Sequence, residues 1–145
     1  MSANAYKKSI QIEPDTKTKY LIGIAVTASL ATTYKKIGDH KFFIVMQTDS
    51  YTKTISCVLD KNTRTREEEE ELITEYVLSL IAETCAIKKD YPHHQEKVEI
   101  ETITAEKSWK KLLNNEINYV SSDKATPELI SVSYTHLTLP TTPYV

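Results

Sequence analysis

The chain has 145 residues, 18 basic and 20 acidic side chains, a formal charge of -2 and 40% hydrophobic residues, which suits one small domain at most. Its two glycines, Gly23 and Gly38, cannot supply a dinucleotide fingerprint, which needs three at close spacing, or a P-loop, which needs two followed by Lys. Charges of both signs are mixed along the chain, so there is no electrostatic footprint for nucleic acid or anionic lipid.

Ser2 to Ile12 sets Ala5, Ile10 and Ile12 loosely on one side and reads as the end of a helix closed by Pro14 and Asp15. Tyr20 to Thr27 is a continuous apolar, β-branched run, the pattern of a strand covered on both faces inside an α/β sheet. Lys17 and Lys19 before it give the outline of a secretory signal, but Glu13 and Asp15 precede them and the run reads better as a strand. Ala28 to Lys41 is a polar connection. Phe42 to Gln47 is a second strand, Thr48-Asp-Ser-Tyr51 a turn, and Lys53 to Leu59 a third strand that alternates as the outer arm of a hairpin would.

Thr65 and Glu68 form a capping box, and Glu67 to Glu71 occupy the first turns, where the helix dipole favours anions. Leu72, Ile73, Tyr76, Val77, Leu80, Ile81 and Cys85 make one buried stripe that ends near Ile87. The glutamate run is expected to be a solvated helix start rather than a metal or basic-partner site. Lys88 to Lys97 reads as a linker, Val98 to Ile103 as a short strand, Ala105 to Asn114 as a brief helix burying Trp109, Leu112 and Leu113, and Asn115 to Pro127 as an inter-domain linker.

Few residues carry chemistry. No run approaches the ~20 apolar residues of a membrane helix. Cys57 and Cys85 are too few for a disulfide framework and are expected to be reduced and buried in a cytoplasmic protein. His93 and His94 lack the spacing of a formed metal site and are expected at the surface, so no metal or cofactor is expected. No Gly-x-Ser-x-Gly elbow is present, and no catalytic residue is assigned. In open α/β sheets ligands bind beyond the carboxyl ends of strands, and Thr27, Ser29, Thr32, Thr33, Lys35, Lys36, Asp39, His40 and Lys41 cluster after the first strand. Such hydroxyls and cations suit a phosphate or ribose; a polar surface loop is the alternative.

Val132 to Thr141 is uncharged, and one frame of a widely used transposon-end sequencing adapter translates to those ten residues in order. Residues 132–145 are therefore expected to be an artefact that says nothing of the fold, with native sequence stopping at about Ser131.

Ile22-Gly-Ile-Ala-Val-Thr-Ala-Ser-Leu-Ala-Thr32, Gly38-Asp-His-Lys41, Val45-Met-Gln-Thr48 and Arg64-Thr-Arg-Glu-Glu-Glu-Glu70 together resemble one branch of the CinA-like family, over roughly Ala3 to Val120. That resemblance implies a three-layer α/β/α domain related to nicotinamide-nucleotide amidases, in a branch followed by a nucleotidyltransferase domain. It also implies that 1–114 is the C-terminal part of the domain (strand, long loop, hairpin, long amphipathic helix) and that 115–131 is a linker. The family's serine segment, Thr-Ala-Glu-Ser-Cys-Thr-Gly-Gly, lies upstream of the strand matched by Tyr20 to Thr27 and has no counterpart here; of its later loop, Thr27 carries over but the glycines do not. The expectation is a truncated nucleotide-metabolism domain, inactive alone, with Thr27, Ser29, Thr32, Asp39 and His40 lining a pyridine-nucleotide pocket. A non-catalytic, self-associating scaffold module beside the transferase is the alternative.

Overall fold

The computed structural model describes residues 1–119, apart from Lys36 and the side chain of Trp109. The adapter-like tail and most of the expected 115–131 linker lie outside the described residues.

Helix α1 (Ser2–Ile12) leads through a short 3-10 turn (Thr18–Tyr20) into strand β1 (Gly23–Ser29); β2 (His40–Gln47), β3 (Tyr51–Leu59), helix α2 (Arg66–Thr84), β4 (Val98–Thr104) and α3 (Lys107–Leu113) follow. The four strands form one sheet in the order β1-β2-β3-β4, antiparallel at every step. Helices and sheet combine as the sequence pattern suggests at the level of class, but two strand assignments change. The apolar run from Tyr20 is an edge strand rather than an interior one, and Val26, Thr27 and Ala28 in it are exposed. Its cover is confined to its start, where Ile24 packs on the core closed by α2 and Gly23 rests against α1, and an antiparallel edge needs no cover on both faces along its length. Strand β3 is internal rather than the outer arm of a hairpin, because β4 returns to pair with it from Cys57↔Val98 to Tyr51↔Thr104.

The β2–β3 turn is set by Thr48, whose Oγ1 accepts from the amides of Ser50 at 3.1 Å and Tyr51 at 3.0 Å. Period-two alternation then aims Phe42, Ile44 and Met46 of β2 and Ile55, Cys57 and Leu59 of β3 at one face, where Ile73, Tyr76 and Leu80 of α2 close the core. Helix α1 lies against the opposite face: Gly23 pairs with Gln47, one position out of phase with Met46, and a Cβ on Gly23 would overlap backbone atoms of Ser2 and Tyr6. Glycine is required there because the helix backbone rests on the strand. Tyr6, Leu21 and Leu113 form a second, smaller cluster, and the Tyr6 hydroxyl donates to Asn114 Oδ1 at 3.1 Å.

The capping box of α2 forms as the sequence indicates: Glu68 N–H donates to Thr65 Oγ1 and Thr65 N–H to Glu68 Oε2. The helix stops at Thr84, earlier than Ile87, through paired bonds from Ala86 N–H to Glu83 O and from Ile87 N–H to Ala82 O, with Ala86 at φ 59°. This is the usual helix-ending pair, formed with alanine where glycine is common. Cys85 is consequently exposed rather than buried. Among the described residues no helix is long and apolar enough to cross a membrane.

A candidate cleft beside a buried histidine–carboxylate pair

Helix α2 begins with acids in its first turn, yet they are not equivalent. Glu69 stands four, seven and eleven positions before Ile73, Tyr76 and Leu80, in phase with the buried stripe, and its side chain is fully buried while Glu67, Glu68 and Glu70 are exposed. The expectation of a wholly solvated glutamate run fails at this one position. A carboxylate held in a core needs partners, and Glu69 has two. Oε1 lies 2.8 Å from Nδ1 of His40 at the start of β2, and Oε2 accepts the Ala31 N–H at 2.6 Å. Helix, strand and loop are thereby tied at one point. With both groups donating to the carboxylate, Nδ1 of His40 is committed, and among the described residues Nε2 is the ring nitrogen left for a ligand.

Above this pair lies an open cleft of about 980 Å³, lined by Ala31 to Lys35, His40, Lys61, Asn62 and Arg64 to Glu67. Its charged lining residues are Lys35, Lys61, Arg64, Arg66 and Glu67, and three of the cations meet acids outside that lining, Lys61 with Asp39, Arg64 with Glu96 and Arg66 with Glu70. Lys61 is anchored by donating to the Ile37 carbonyl at 2.9 Å, and Arg66 pairs with Glu70 at 2.9 Å on the exposed side of α2.

Arg64 is fixed by a second buried cluster. Its guanidinium grips Glu96 with both terminal nitrogens, and Glu96 also accepts from the Asp60 N–H at 3.3 Å and from His94 Nδ1 at 2.9 Å. His94 Nε2 in turn lies 2.7 Å from the Tyr76 hydroxyl. The side chains of His94 and Glu96 are 5% and 4% exposed, so His94 is not the surface residue expected of it, whereas His93 is exposed. The Arg64 guanidinium first, with the amide and imidazole donors behind it, holds the Glu96 carboxyl well below the usual carboxylate range, and Glu96 raises Arg64 in return. Burial pushes Tyr76 up to about 12 and, with Glu96 adding to it, Cys57 up to about 11, so neither is poised to ionise near neutrality.

Of the five residues singled out from the sequence, the fold brings two together. Thr32 and His40 line the cleft. Thr27 and Ser29 lie with Lys41 and Phe43 at a separate shallow depression on β1 and β2, and Asp39 is exposed, 3.8 Å from Lys61. An all-antiparallel sheet has no switch point beyond its carboxyl ends to gather them. The turn 61–67, which supplies half the cleft, was not marked by the sequence as part of a site; the capping box that places it there was. Among the described residues no group of three or more His, Cys, Asp or Glu side chains is placed to hold a metal ion.

Comparison with protein-family models, curated proteins and solved structures finds no match for this chain.

Proposed function

We propose that this chain is part of a CinA-like, three-layer α/β/α domain from a cytoplasmic nucleotide-metabolism protein, and that its cleft holds a pyridine nucleotide without hydrolysing it. The observation that carries this reading is the lining of the cleft, where Lys35, Lys61, Arg64 and Arg66 stand with hydroxyls or amides from Thr32, Thr33 and Asn62, although Lys61, Arg64 and Arg66 each also meet an acid, Asp39, Glu96 and Glu70. A nucleotide monophosphate brings about -1.5 to -2 charges and several acceptors to such a wall. The element order of strand, long loop, hairpin and capped helix is the one the family resemblance implies, and helices against both sheet faces support the three-layer reading. The absence of hydrolysis rests on the lack of a counterpart to the family's serine segment in the 145 residues, and among the described residues no Ser or Cys lines the cleft.

Isothermal calorimetry with nicotinamide mononucleotide, run beside an ammonia-release assay, tests both halves. Saturable binding without ammonia is the expected result. Ammonia above a no-protein control overturns the inactive reading, and no heat at millimolar nucleotide overturns the pocket.

A scaffold module is the second reading, favoured by β1, an uncharged strand at the edge of the sheet among the described residues, and by exposed Phe43 and Val58 on the sheet face. Nucleotide silence together with concentration-dependent dimerisation in sedimentation selects that reading, and a monomer that binds nucleotide rejects it.

A further inference from the structure

We propose that His40 is the group that contacts the anion in this cleft, with Glu69 as its positioning residue, and that the site takes a phosphomonoester with uptake of a proton on His40. This deepens the nucleotide reading and rests on it for the identity of the cleft, though its chemistry is that of phosphate rather than of nicotinamide.

Three observations converge. His40 lines the cleft although only 7% of the residue is exposed. Among the described residues its one ring hydrogen bond runs from Nδ1 to the fully buried Glu69, which fixes the ring plane and reserves Nε2. The same carboxylate holds the Ala31 N–H, which opens the loop carrying Thr32, Thr33 and Lys35 along the cleft wall. A ring fixed in this way, with no partner on Nε2 among the described residues, is preorganised for a ligand atom.

The surroundings select an anion. Glu69 from α2 is bonded to His40, and the charged residues that line the same cleft are Lys35 from the loop after β1, Lys61 and Arg64 from the turn after β3, and Arg66 and Glu67 at the start of α2; Asp39 adjoins it in sequence and pairs with Lys61, as Glu96 does with Arg64 and Glu70 with Arg66. Its cross-strand neighbour on β3 is Leu59, which adds no charge. A phosphate oxygen is an acceptor, so contact at Nε2 calls for an N–H there while Nδ1–H stays on Glu69. A ring that carries its proton on Nδ1 alone therefore takes one further proton from solvent onto Nε2 when a phosphate dianion binds, and no covalent bond is made or broken.

The test uses the whole chain at pH 8, where a phosphomonoester, with a second pKa near ~6, is a dianion. Inorganic phosphate and nicotinamide mononucleotide are titrated by calorimetry in two buffers of unlike ionisation enthalpy, and the imidazole nitrogens are followed by long-range 1H–15N correlation. The expected results are proton uptake with both probes, a large shift of His40 Nε2 with little change at Nδ1, and loss of the uptake in His40→Gln together with at least a tenfold weaker phosphate affinity. Glu69→Gln should weaken binding while the circular dichroism spectrum is kept; if that variant does not fold, the nitrogen shifts in the unaltered protein decide alone. Uptake that persists in His40→Gln, or an Nε2 resonance that stays still while phosphate binds, overturns the proposal. Binding of the nucleotide with no change at His40 overturns this assignment and leaves the nucleotide reading standing. Phosphate binding at His40 with no gain from the nicotinamide ribose does the reverse.

Discussion

Replacing Glu96 with Gln keeps the shape of the side chain and removes its charge from the buried cluster behind the cleft. In the native arrangement the carboxylate accepts from both terminal nitrogens of Arg64, from the Asp60 N–H and from His94 Nδ1, with 4% of the side chain exposed. Breaking a buried ion pair from one side costs about 3–5 kcal/mol, since it strands the other charge. The Arg64 side chain keeps 22% of its surface in solvent, which screens part of that loss and points to the lower end, about 3 kcal/mol. Against a total of about 5–15 kcal/mol for a domain, this is a lowering of Tm by roughly 10 °C. Urea denaturation followed by circular dichroism at pH 7 measures it. The pH dependence has a definite sign. The folded-state pKa of Glu96 is depressed, so its contribution is fully present above the unfolded carboxylate value of about 4.3 and is lost as pH falls through and below that value. The variant should therefore lose less stability between pH 5 and 3 than the unaltered protein. A variant within 0.5 kcal/mol of the original at pH 7, or parallel acid limbs, would refute the reasoning.

Gly23→Ala places a methyl group into the backbone of Ser2 and Tyr6 and should detach α1, costing about 3 kcal/mol or more, seen as a fall in Tm and loss of protection of the α1 amides. An unchanged Tm would mean that the helix does not rest on β1. Ala86→Gly should raise stability by about 1 kcal/mol, because Ala86 ends α2 at φ 59° where glycine pays no steric penalty. Thiol titration with a disulfide reagent at pH 8 should give one rapid equivalent from Cys85 and one that waits for unfolding from Cys57; two rapid equivalents would contradict the packing of β3 under α2.

Short-range signals in the sequence were enough to locate most elements. The Thr65 to Glu68 capping box marks the start of α2, the alternation of Ile55, Cys57 and Leu59 marks the inward face of β3, and the Thr48 to Tyr51 turn marks the hairpin. What the sequence withheld depends on pairings between distant residues. Whether β1 is an edge and β3 is internal is decided by β4, which begins 39 positions after β3 ends and returns to pair with it. Glu69 was legible in principle, since it is in phase with Ile73 and Tyr76, but five consecutive glutamates hide that phase. His94 and Glu96 lie in an irregular connection with no periodicity, and their burial comes from Arg64 and Tyr76, 32 and 18 residues away. Thr32 and His40 reached the cleft, whereas Thr27 and Ser29, two apart on one face of β1, point together to a separate depression and Asp39 lies in the exposed end of the loop.

The central claim is that the cleft between the loop after β1 and the start of α2 is a nucleotide site. Titrating nicotinamide mononucleotide into the 15N-labelled protein and following two-dimensional 1H–15N spectra tests it most directly. The account predicts saturable, concerted shifts of the amides from Ala31 to Lys35 and from Lys61 to Glu67, with the β4 edge unmoved. Spectra that stay unchanged at millimolar nucleotide, or shifts confined to β1 and β4, would contradict it.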